Sequence, residues 1–203
     1  MARTENEVRT LVLGGAGFIG RHVCEAHLDA GDEVFCFDNL FTSKRSNIEE
    51  FLPHPHFEFI RGDVCDPFHL EADAIYHLAC PAAPIHYTRN AARTIETAFL
   101  GTLNALRLAR ETGARILIAS TSEVYGDPLQ HPQREDYRGN VNPVGPRACY
   151  DEGKRAAEAL AVTYARQYGV QVRIARIFNT YGPFMTSGDG RIVPMILDAI
   201  RDG

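Results

Sequence analysis

The stretch L-V-L-G-G-A-G-F-I-G, residues 11–20, carries the strongest structural signal in the chain. Its first three residues are an apolar run typical of a buried strand, and glycines then recur at every third position before an amphipathic pattern begins. A glycine turn between a strand and a helix lets backbone N–H groups approach a pyrophosphate at the helix N-terminus. The stretch therefore predicts a dinucleotide site that includes Gly14, Gly17, Phe18, Ile19 and Gly20.

Outward from this turn, apolar runs alternate with amphipathic stretches along the chain. The predicted strands are Arg9–Leu13, Glu33–Phe37, Phe57–Ile60, Ala74–Leu78, Arg115–Ala119 and Val170–Ala175. The predicted helices are Phe18–Ala30, Ala91–Thr112, Asp151–Tyr168 and Ile192–Ile200. Regular alternation predicts an α/β fold with a doubly wound, Rossmann-like parallel sheet that is covered by helices on both faces.

The alternation of strands and helices ends at residue 179. The sequence that follows, N-T-Y-G-P-F-M-T-S-G-D-G-R, is typical of a loop. We therefore expect a dinucleotide-binding domain over residues 1–178. Residues 179–203 are expected to be the start of a substrate-binding region that is incomplete, because the chain stops where another element is expected.

Composition excludes several classes of function. The chain has 203 residues, 45% of them hydrophobic, which is enough for a substantial core. Its net charge is −5 and it has no run of five like charges, so neither a nucleic-acid nor a membrane partner is indicated. Five scattered cysteines argue against disulfides and zinc, and the eight histidines lack metal-ligand spacing, so no metal is expected. A charged N-terminus without an apolar signal predicts a cytoplasmic protein.

An acid follows the second predicted strand. Asp38 lies 18 residues beyond Gly20, where a carboxylate can accept hydrogen bonds from an adenosine ribose diol and repel a 2′-phosphate, so NAD is favoured over NADP. Asp63 and Val64 fit two interpretations, an adenine contact or a turn and cap. Three further residues at strand ends belong to the predicted cofactor site, Asn39, Leu78 and Ala79, and the site also includes Tyr150 and Lys154.

Tyr150 and Lys154 lie four apart in N-P-V-G-P-R-A-C-Y-D-E-G-K-R, residues 142–155, and should share one helical face. An ammonium at about 4 Å, in a medium of dielectric about 20, favours a phenolate by roughly 4 kcal/mol and so lowers the pKa of the phenol. Taken alone, a tyrosine and a lysine at this spacing are more often a surface aromatic residue beside an exposed lysine. Its place in a dinucleotide-binding fold favours a general base instead.

Hydroxyls and a carboxylate end the fifth strand in S-T-S-E. In an open parallel sheet ligands gather at the carboxyl ends of strands, so Thr121 and Ser122 can bond a substrate hydroxyl and Glu123 can move a proton. In isolation such a tetrapeptide more often satisfies the backbone at a strand end. The Tyr–Lys pair 27 residues further on favours the catalytic interpretation.

Four segments together resemble the extended short-chain dehydrogenase/reductases of nucleotide-sugar metabolism: G-G-A-G-F-I-G, S-T-S-E-V-Y-G-D-P, the 142–155 segment and R-I-F-N-T-Y-G-P. Within that family, Ser122-Glu123 with C-Y-D-E-G-K is most similar to the decarboxylases of UDP-glucuronate. The resemblance implies an NAD-dependent enzyme that oxidises the sugar at C4, releases carbon dioxide from a UDP-4-keto intermediate, and reduces C4 to give UDP-xylose.

The resemblance also implies roles for residues. Tyr150 would take the proton of the 4-hydroxyl, with Lys154 holding both Tyr150 and the nicotinamide ribose. Thr121 would contact the reacting hydroxyl, and Ser122 and Glu123 would handle protons near the carboxylate. Pro84 and Tyr87 would line the sugar pocket, and Asn179 and Arg191 would meet the nucleotide diphosphate. For Arg191, a solvated charge in a loop is an equally good interpretation.

Family members commonly form homodimers through a four-helix bundle, and small residues at Ala157 and Ala161 would permit close helix approach. Two alternatives stay open. One is a nucleotide-sugar 4,6-dehydratase. The other is a catalytically impaired NAD-binding module, because the family continues past Gly203 with a substrate-binding region.

Overall fold

Six parallel strands form the central sheet of the computed structural model, which describes residues 8–186, 188 and 190–202. The strands are β1 (Arg9–Leu13), β2 (Glu33–Asp38), β3 (Phe57–Arg61), β4 (Ala74–His77), β5 (Arg115–Thr121) and β6 (Val172–Ile177). The helices are α1 (Phe18–Asp29), α2 (Pro84–Tyr87), α3 (Ala91–Glu96), α4 (Thr102–Thr112), α5 (Ala148–Tyr168) and α6 (Ile192–Asp202). Two 3-10 turns, Arg45–Phe51 and Ser122–Tyr125, and one π turn, Thr97–Gly101, complete the described elements.

The strand order is β3-β2-β1-β4-β5-β6, and every neighbouring pair is parallel. The chain builds outward from β1 to β3 and then returns to place β4 on the other side of β1. This reversal opens a crevice at the carboxyl ends of β1 and β4, the usual ligand position in such sheets. The predicted doubly wound parallel sheet is confirmed.

Two apolar cores lie on the two faces of the sheet. Alternate residues of a strand point to opposite faces, so Leu11 and Leu13 of β1 belong to one core and Val12 to the other. All three side chains are fully buried. Burying an aliphatic side chain of this size contributes about 1.5–3 kcal/mol, so β1 anchors both layers and holds the glycine turn that follows it.

The predicted helix Ala91–Thr112 is interrupted. α3 is followed by a π turn, Thr97–Gly101, before α4 begins. At Gly101 an added Cβ would lie 2.7 Å from Val64 Cγ2, so this segment packs very close to the loop after β3. The widened turn accommodates that approach, which periodicity alone does not reveal.

Several boundaries also differ from the sequence prediction. β5 extends two residues beyond Ala119, to Thr121, and β6 runs over Val172–Ile177 instead of Val170–Ala175. α5 begins at Ala148 and not at Asp151, because the Arg147 carbonyl accepts the first helical hydrogen bonds. Tyr150 therefore lies within the first helical turn.

The small residues of α5 pack inside the chain. Ala157 and Ala161 are 2% and 0% exposed, so the close approach that these residues permit is made within the chain. At Gly153 an added Cβ would lie 3.0 Å from Ala98 Cβ, which shows how closely α5 approaches the π turn. This close packing holds α5, with Tyr150 and Lys154, against the sheet.

All five cysteines are free thiols. Among the described residues, no group of three His, Cys, Asp or Glu side chains could hold a metal ion. Within the same part of the chain, no helix combines the length and apolar character needed to cross a bilayer.

Candidate active site

A cavity of about 830 Å³ lies at the carboxyl ends of the strands. The site residues predicted from the sequence all line this cavity: Gly14, Gly17, Phe18, Ile19, Gly20, Asp38, Asn39, Asp63, Val64, Leu78, Ala79, Pro84, Tyr87, Thr121, Ser122, Glu123, Tyr150, Lys154, Asn179 and Arg191. The fold thus brings together side chains that are far apart in the sequence. Their individual roles stay predictions.

The glycine turn is a main-chain cradle at the start of α1. Gly14 has φ +84, a conformation that favours glycine, and its N–H donates to the Phe37 carbonyl at 2.8 Å. Gly17 caps α1 without any side-chain hydrogen bond. At Gly20 an added Cβ would lie 2.1 Å from the Gly14 oxygen, so helix and turn are in direct contact. This arrangement fits the pyrophosphate of a dinucleotide.

Asp38 connects the glycine turn to the loop after β2. Its Oδ2 accepts a hydrogen bond from Ala16 N at 3.0 Å. Its Oδ1 accepts from Leu40 N at 2.8 Å and from Ser43 Oγ at 2.7 Å. An ionised carboxylate offers about four acceptor positions, so room for a ribose hydroxyl is left beside these three bonds.

The far end of the cavity is organised around Asp63. Burial alone would raise the pKa of this carboxyl, but hydrogen bonds from Cys65 N, Arg93 and Asn39 lower it to about 2. Asn39 Nδ2 donates to Asp63 Oδ2 at 3.0 Å, and Arg93 Nη2 lies 2.9 Å from the same oxygen. Arg93 lines the cavity and was missed in the sequence, because nothing local to α3 marks a partner 30 residues earlier.

The Tyr–Lys pair lies at the opposite end of the cavity and is almost fully buried. Tyr150 is 6% exposed and Lys154 is 7% exposed. Lys154 Nζ donates to the Ala119 carbonyl oxygen at 2.8 Å, which fixes the ammonium at the end of β5. Beneath it, burial and the Lys154 charge lower the pKa of His77 to about 3, so that imidazole is neutral.

The expectation that Lys154 lowers the pKa of Tyr150 is wrong for this structure. Burial, with the neighbouring Cys80 thiol adding to it, raises the pKa of the Tyr150 phenol, and the hydrogen bond with Thr121 only partly opposes that rise. Desolvation disfavours the charged form of a buried phenol, and the ammonium is directed at a main-chain carbonyl instead. Tyr150 is therefore a protonated phenol here.

Tyr87 supports the ring of Tyr150. The two rings stack with centroids 4.9 Å apart and planes 5° apart. Tyr87 is only 1% exposed, so most of its surface packs against protein rather than facing the cavity. This stacking fixes the direction of the Tyr150 hydroxyl.

The end of β5 is held from behind by an ion pair. Ser120 Oγ donates to Glu158 Oε1 at 2.6 Å, and Arg176 binds Glu158 through Nε at 2.9 Å and Nη2 at 2.7 Å. In front, Thr121 Oγ1 accepts from Glu123 N at 3.2 Å. The network fixes the backbone from which Thr121, Ser122 and Glu123 reach the cavity.

Arg147 was not predicted as a site residue from the sequence. Its Nη2 lies 2.5 Å from Glu123 Oε2, and its guanidinium lines the cavity. The available signal was its spacing of three residues before Tyr150, which places both on neighbouring positions of one helical face.

A glycine turn suited to a pyrophosphate and a buried Tyr–Lys pair, at the carboxyl ends of a 3-2-1-4-5-6 sheet, are typical of a dinucleotide-dependent oxidoreductase type of site. A model of the NAD dependent epimerase/dehydratase family matches residues 10–203, and the chain belongs to that family.

Relatives with known names show a narrower similarity. The chain is 59% identical over 186 residues to UDP-glucuronic acid decarboxylase 1 of Arabidopsis thaliana, which covers 92% of this chain and 43% of that protein. It is 54% identical over 194 residues to UDP-glucuronic acid decarboxylase 1 of Xenopus tropicalis, covering 95% of this chain and 46% of the relative. The chain thus spans about half the length of these relatives.

A solved structure has the same fold. The dTDP-glucose 4,6-dehydratase from Streptomyces venezuelae, determined with NAD bound, is 30% identical and superposes with a TM-score of 0.83. The match covers 96% of this chain and 62% of the dehydratase.

Proposed function

We propose that the protein is an NAD-dependent decarboxylase that converts UDP-glucuronate to UDP-xylose. One observation carries the proposal: a single cavity holds the glycine turn, the buried Tyr150–Lys154 pair and the Thr121-Ser122-Glu123 segment. The 54% and 59% identity to UDP-glucuronic acid decarboxylases supports the choice of substrate.

NAD, when bound along the glycine turn with its ribose near Asp38, supplies the oxidation of the sugar C4 and its later reversal. The residues of the chain handle the protons. Tyr150 Oη first gives up its own proton to solvent; as a phenolate it then receives the proton of the C4 hydroxyl and later returns it to the same oxygen. Because burial raises the pKa of Tyr150, the phenol is well suited to this return step.

The chemistry of the substrate explains why C4 oxidation is useful. A ketone at C4 is β to the C6 carboxylate, so it can accept the electron pair released when carbon dioxide leaves. C5 must then be protonated. Glu123 and Ser122, which line the cavity beside Thr121, are the groups we assign to this proton transfer.

A product assay tests this function. The protein is incubated with NAD and UDP-glucuronate, and nucleotide-sugar products are followed by NMR. We expect UDP-xylose with no net reduction of NAD. A Tyr150→Phe variant, which keeps the ring and its stacking on Tyr87, serves as the control and should be inactive. A 4-keto-6-deoxy product from a neutral nucleotide sugar would favour a dehydratase, and NAD binding without turnover of any sugar would favour a non-catalytic module.

We also propose a homodimer formed through the face of α3 and the π turn, beside α5. Ile95, Phe99 and Leu100 are 42%, 40% and 39% exposed, and the Ile95 backbone adjoins α5 at Gly153. Light scattering after size exclusion should give twice the chain mass. Phe99→Glu should lower that mass, whereas Val144→Glu, at an exposed loop position, should not. A monomer at micromolar concentration would refute the dimer.

A further inference from the structure

Arg147 is held in a fixed position relative to Tyr150. It is the N-cap residue of α5, and its carbonyl accepts hydrogen bonds from Tyr150 N at 2.9 Å and Asp151 N at 3.1 Å. These main-chain bonds fix the backbone of Arg147 one helical turn before Tyr150, and both side chains line the same cavity. A ligand that contacts Tyr150 is therefore within reach of Arg147.

The partner of Arg147 is a replaceable one. The Arg147 and Glu123 side chains are 49% and 30% exposed, and both line the cavity. An ion pair at such exposure contributes about 0–1 kcal/mol, so an incoming carboxylate can compete with Glu123 for the guanidinium. The guanidinium carbon also lies 5.9 Å from the centre of the Tyr87 ring, which stacks on Tyr150.

The other described cations that line the cavity are Arg93, Lys154 and Arg191. Arg93 is bound to Asp63 at the nucleotide end. Lys154 is buried and directed at the Ala119 carbonyl. Arg191 lies just before α6, in the region assigned above to the nucleotide diphosphate. Beside the reacting end, Arg147 is thus the described cation that is not directed at a main-chain carbonyl.

The charges around Arg147 decide whether a further carboxylate can bind there. Glu123 and Asp151 are two carboxyl groups near one guanidinium. Asp151 is 9% exposed and its Oδ1 has no hydrogen-bond partner. Burial, with the charges of Glu123 and Glu152 adding to it and Arg147 opposing it, raises the pKa of Asp151 to about 6. The carboxylate of a ligand would be the third one near Arg147. It can bind the guanidinium only if the ion pair between Arg147 and Glu123 breaks.

We propose that Arg147 binds the sugar carboxylate of the substrate, and that Glu123 occupies the guanidinium in the free protein. A planar guanidinium matches a carboxylate with two parallel hydrogen bonds, which a neutral sugar cannot form. Arg147 thereby selects a uronate over the corresponding hexose. Release of Glu123 also frees this carboxyl beside the reacting sugar. This inference rests on the proposed function.

The test compares two ligands that differ at C6, UDP-glucuronate and UDP-glucose. Binding to the full chain is measured by calorimetry with NAD present, in a Tyr150→Phe background so that UDP-glucuronate is not consumed. Arg147→Met removes the charge and keeps the length of the side chain, and Arg147→Lys keeps the charge. Arg166→Met, at an exposed position near the other end of α5, is the matched control.

We expect Arg147→Met to weaken UDP-glucuronate binding by about 10- to 100-fold, the range for a lost hydrogen bond to a charged group. Its affinity for UDP-glucose should be unchanged, Arg147→Lys should recover part of the loss, and Arg166→Met should match the parent. Glu123→Gln removes the competing carboxylate and should tighten UDP-glucuronate binding by about two- to fivefold. A merely structural role for Arg147 would produce no such gain.

Two results would overturn the inference. One is an equal loss of affinity for both ligands in Arg147→Met. The other is an unchanged ratio of the two affinities in both Arg147→Met and Glu123→Gln. Failure of the proposed function is seen separately, since the chain with Tyr150 intact would then release no carbon dioxide from UDP-glucuronate. That result would remove the basis of this inference as well.

Discussion

Gly20→Ala should separate α1 from the glycine turn. The added Cβ would lie 2.1 Å from the Gly14 oxygen and 2.7 Å from Gly15 Cα, where an ordinary contact begins at 3.4 Å. Both neighbours are main chain, so no side chain can rotate away to make room. The helix must shift by about 1 Å, which is enough to impair a positioned site.

The magnitude follows from that overlap. Overpacking typically costs about 1–3 kcal/mol, and a clash between two main-chain segments belongs at the upper end of that range. For a chain of this size, about 3 kcal/mol lowers Tm by roughly 6–12 °C. NAD affinity should fall at least about tenfold, because the first-turn N–H groups leave their places around the pyrophosphate.

Thermal denaturation and calorimetric titration with NAD measure the two effects. Gly17→Ala is the control for stability, since Gly17 has φ −75 and its added Cβ would meet only the Gly14 oxygen, at 3.2 Å. It should lower Tm much less. A Gly20→Ala protein with the Tm and NAD affinity of the parent would show that the turn and helix are not packed as described.

The remaining predictions concern single side chains. Tyr150→Phe should reduce turnover by about 100- to 10,000-fold and lower NAD affinity far less, as steady-state kinetics and titration would show; an active variant would exclude Tyr150 as the proton-transfer group. Asp151→Asn should change the pH dependence of stability. Burial raises the pKa of Asp151 from 3.8 to about 6, so the native state retains a proton that the unfolded chain loses, and the free energy of unfolding falls as pH rises between those values. Urea titrations at several pH values should show a smaller fall in the variant, and parallel curves would contradict the assignment. Arg176→Met should cost about 1–3 kcal/mol in denaturant unfolding, because Glu158 loses both guanidinium hydrogen bonds; adding Glu158→Gln should restore part of that loss, and full additivity of the two changes would argue against the pair.

The sheet was predictable because its signals are local. Apolar runs, turn glycines and amphipathic periods fix the strands, and the acid at Asp38 and the S-T-S-E sequence follow strands whose carboxyl ends must share one edge. The order of elements therefore places the cavity, and the residues predicted for it do line it.

The rest depends on tertiary contacts. Arg147 and Glu123 are 24 residues apart, so their ion pair arises only when the 3-10 turn after β5 meets the start of α5. The pKa of Tyr150 depends on its burial, which opposes the effect expected from a nearby ammonium. The π turn before α4 packs at Gly101 against Val64, which is 37 residues earlier in the sequence.

An isotope experiment tests the central claim most directly. UDP-glucuronate carrying deuterium at C4 and a carbon label in its carboxyl group is incubated with the protein and NAD, and the gas and the nucleotide sugar are analysed by mass spectrometry. The account predicts labelled carbon dioxide and UDP-xylose in equal amounts, with the deuterium still at C4. Labelled carbon dioxide from a product that has lost the deuterium, or NAD binding with no carbon dioxide at all, would contradict it.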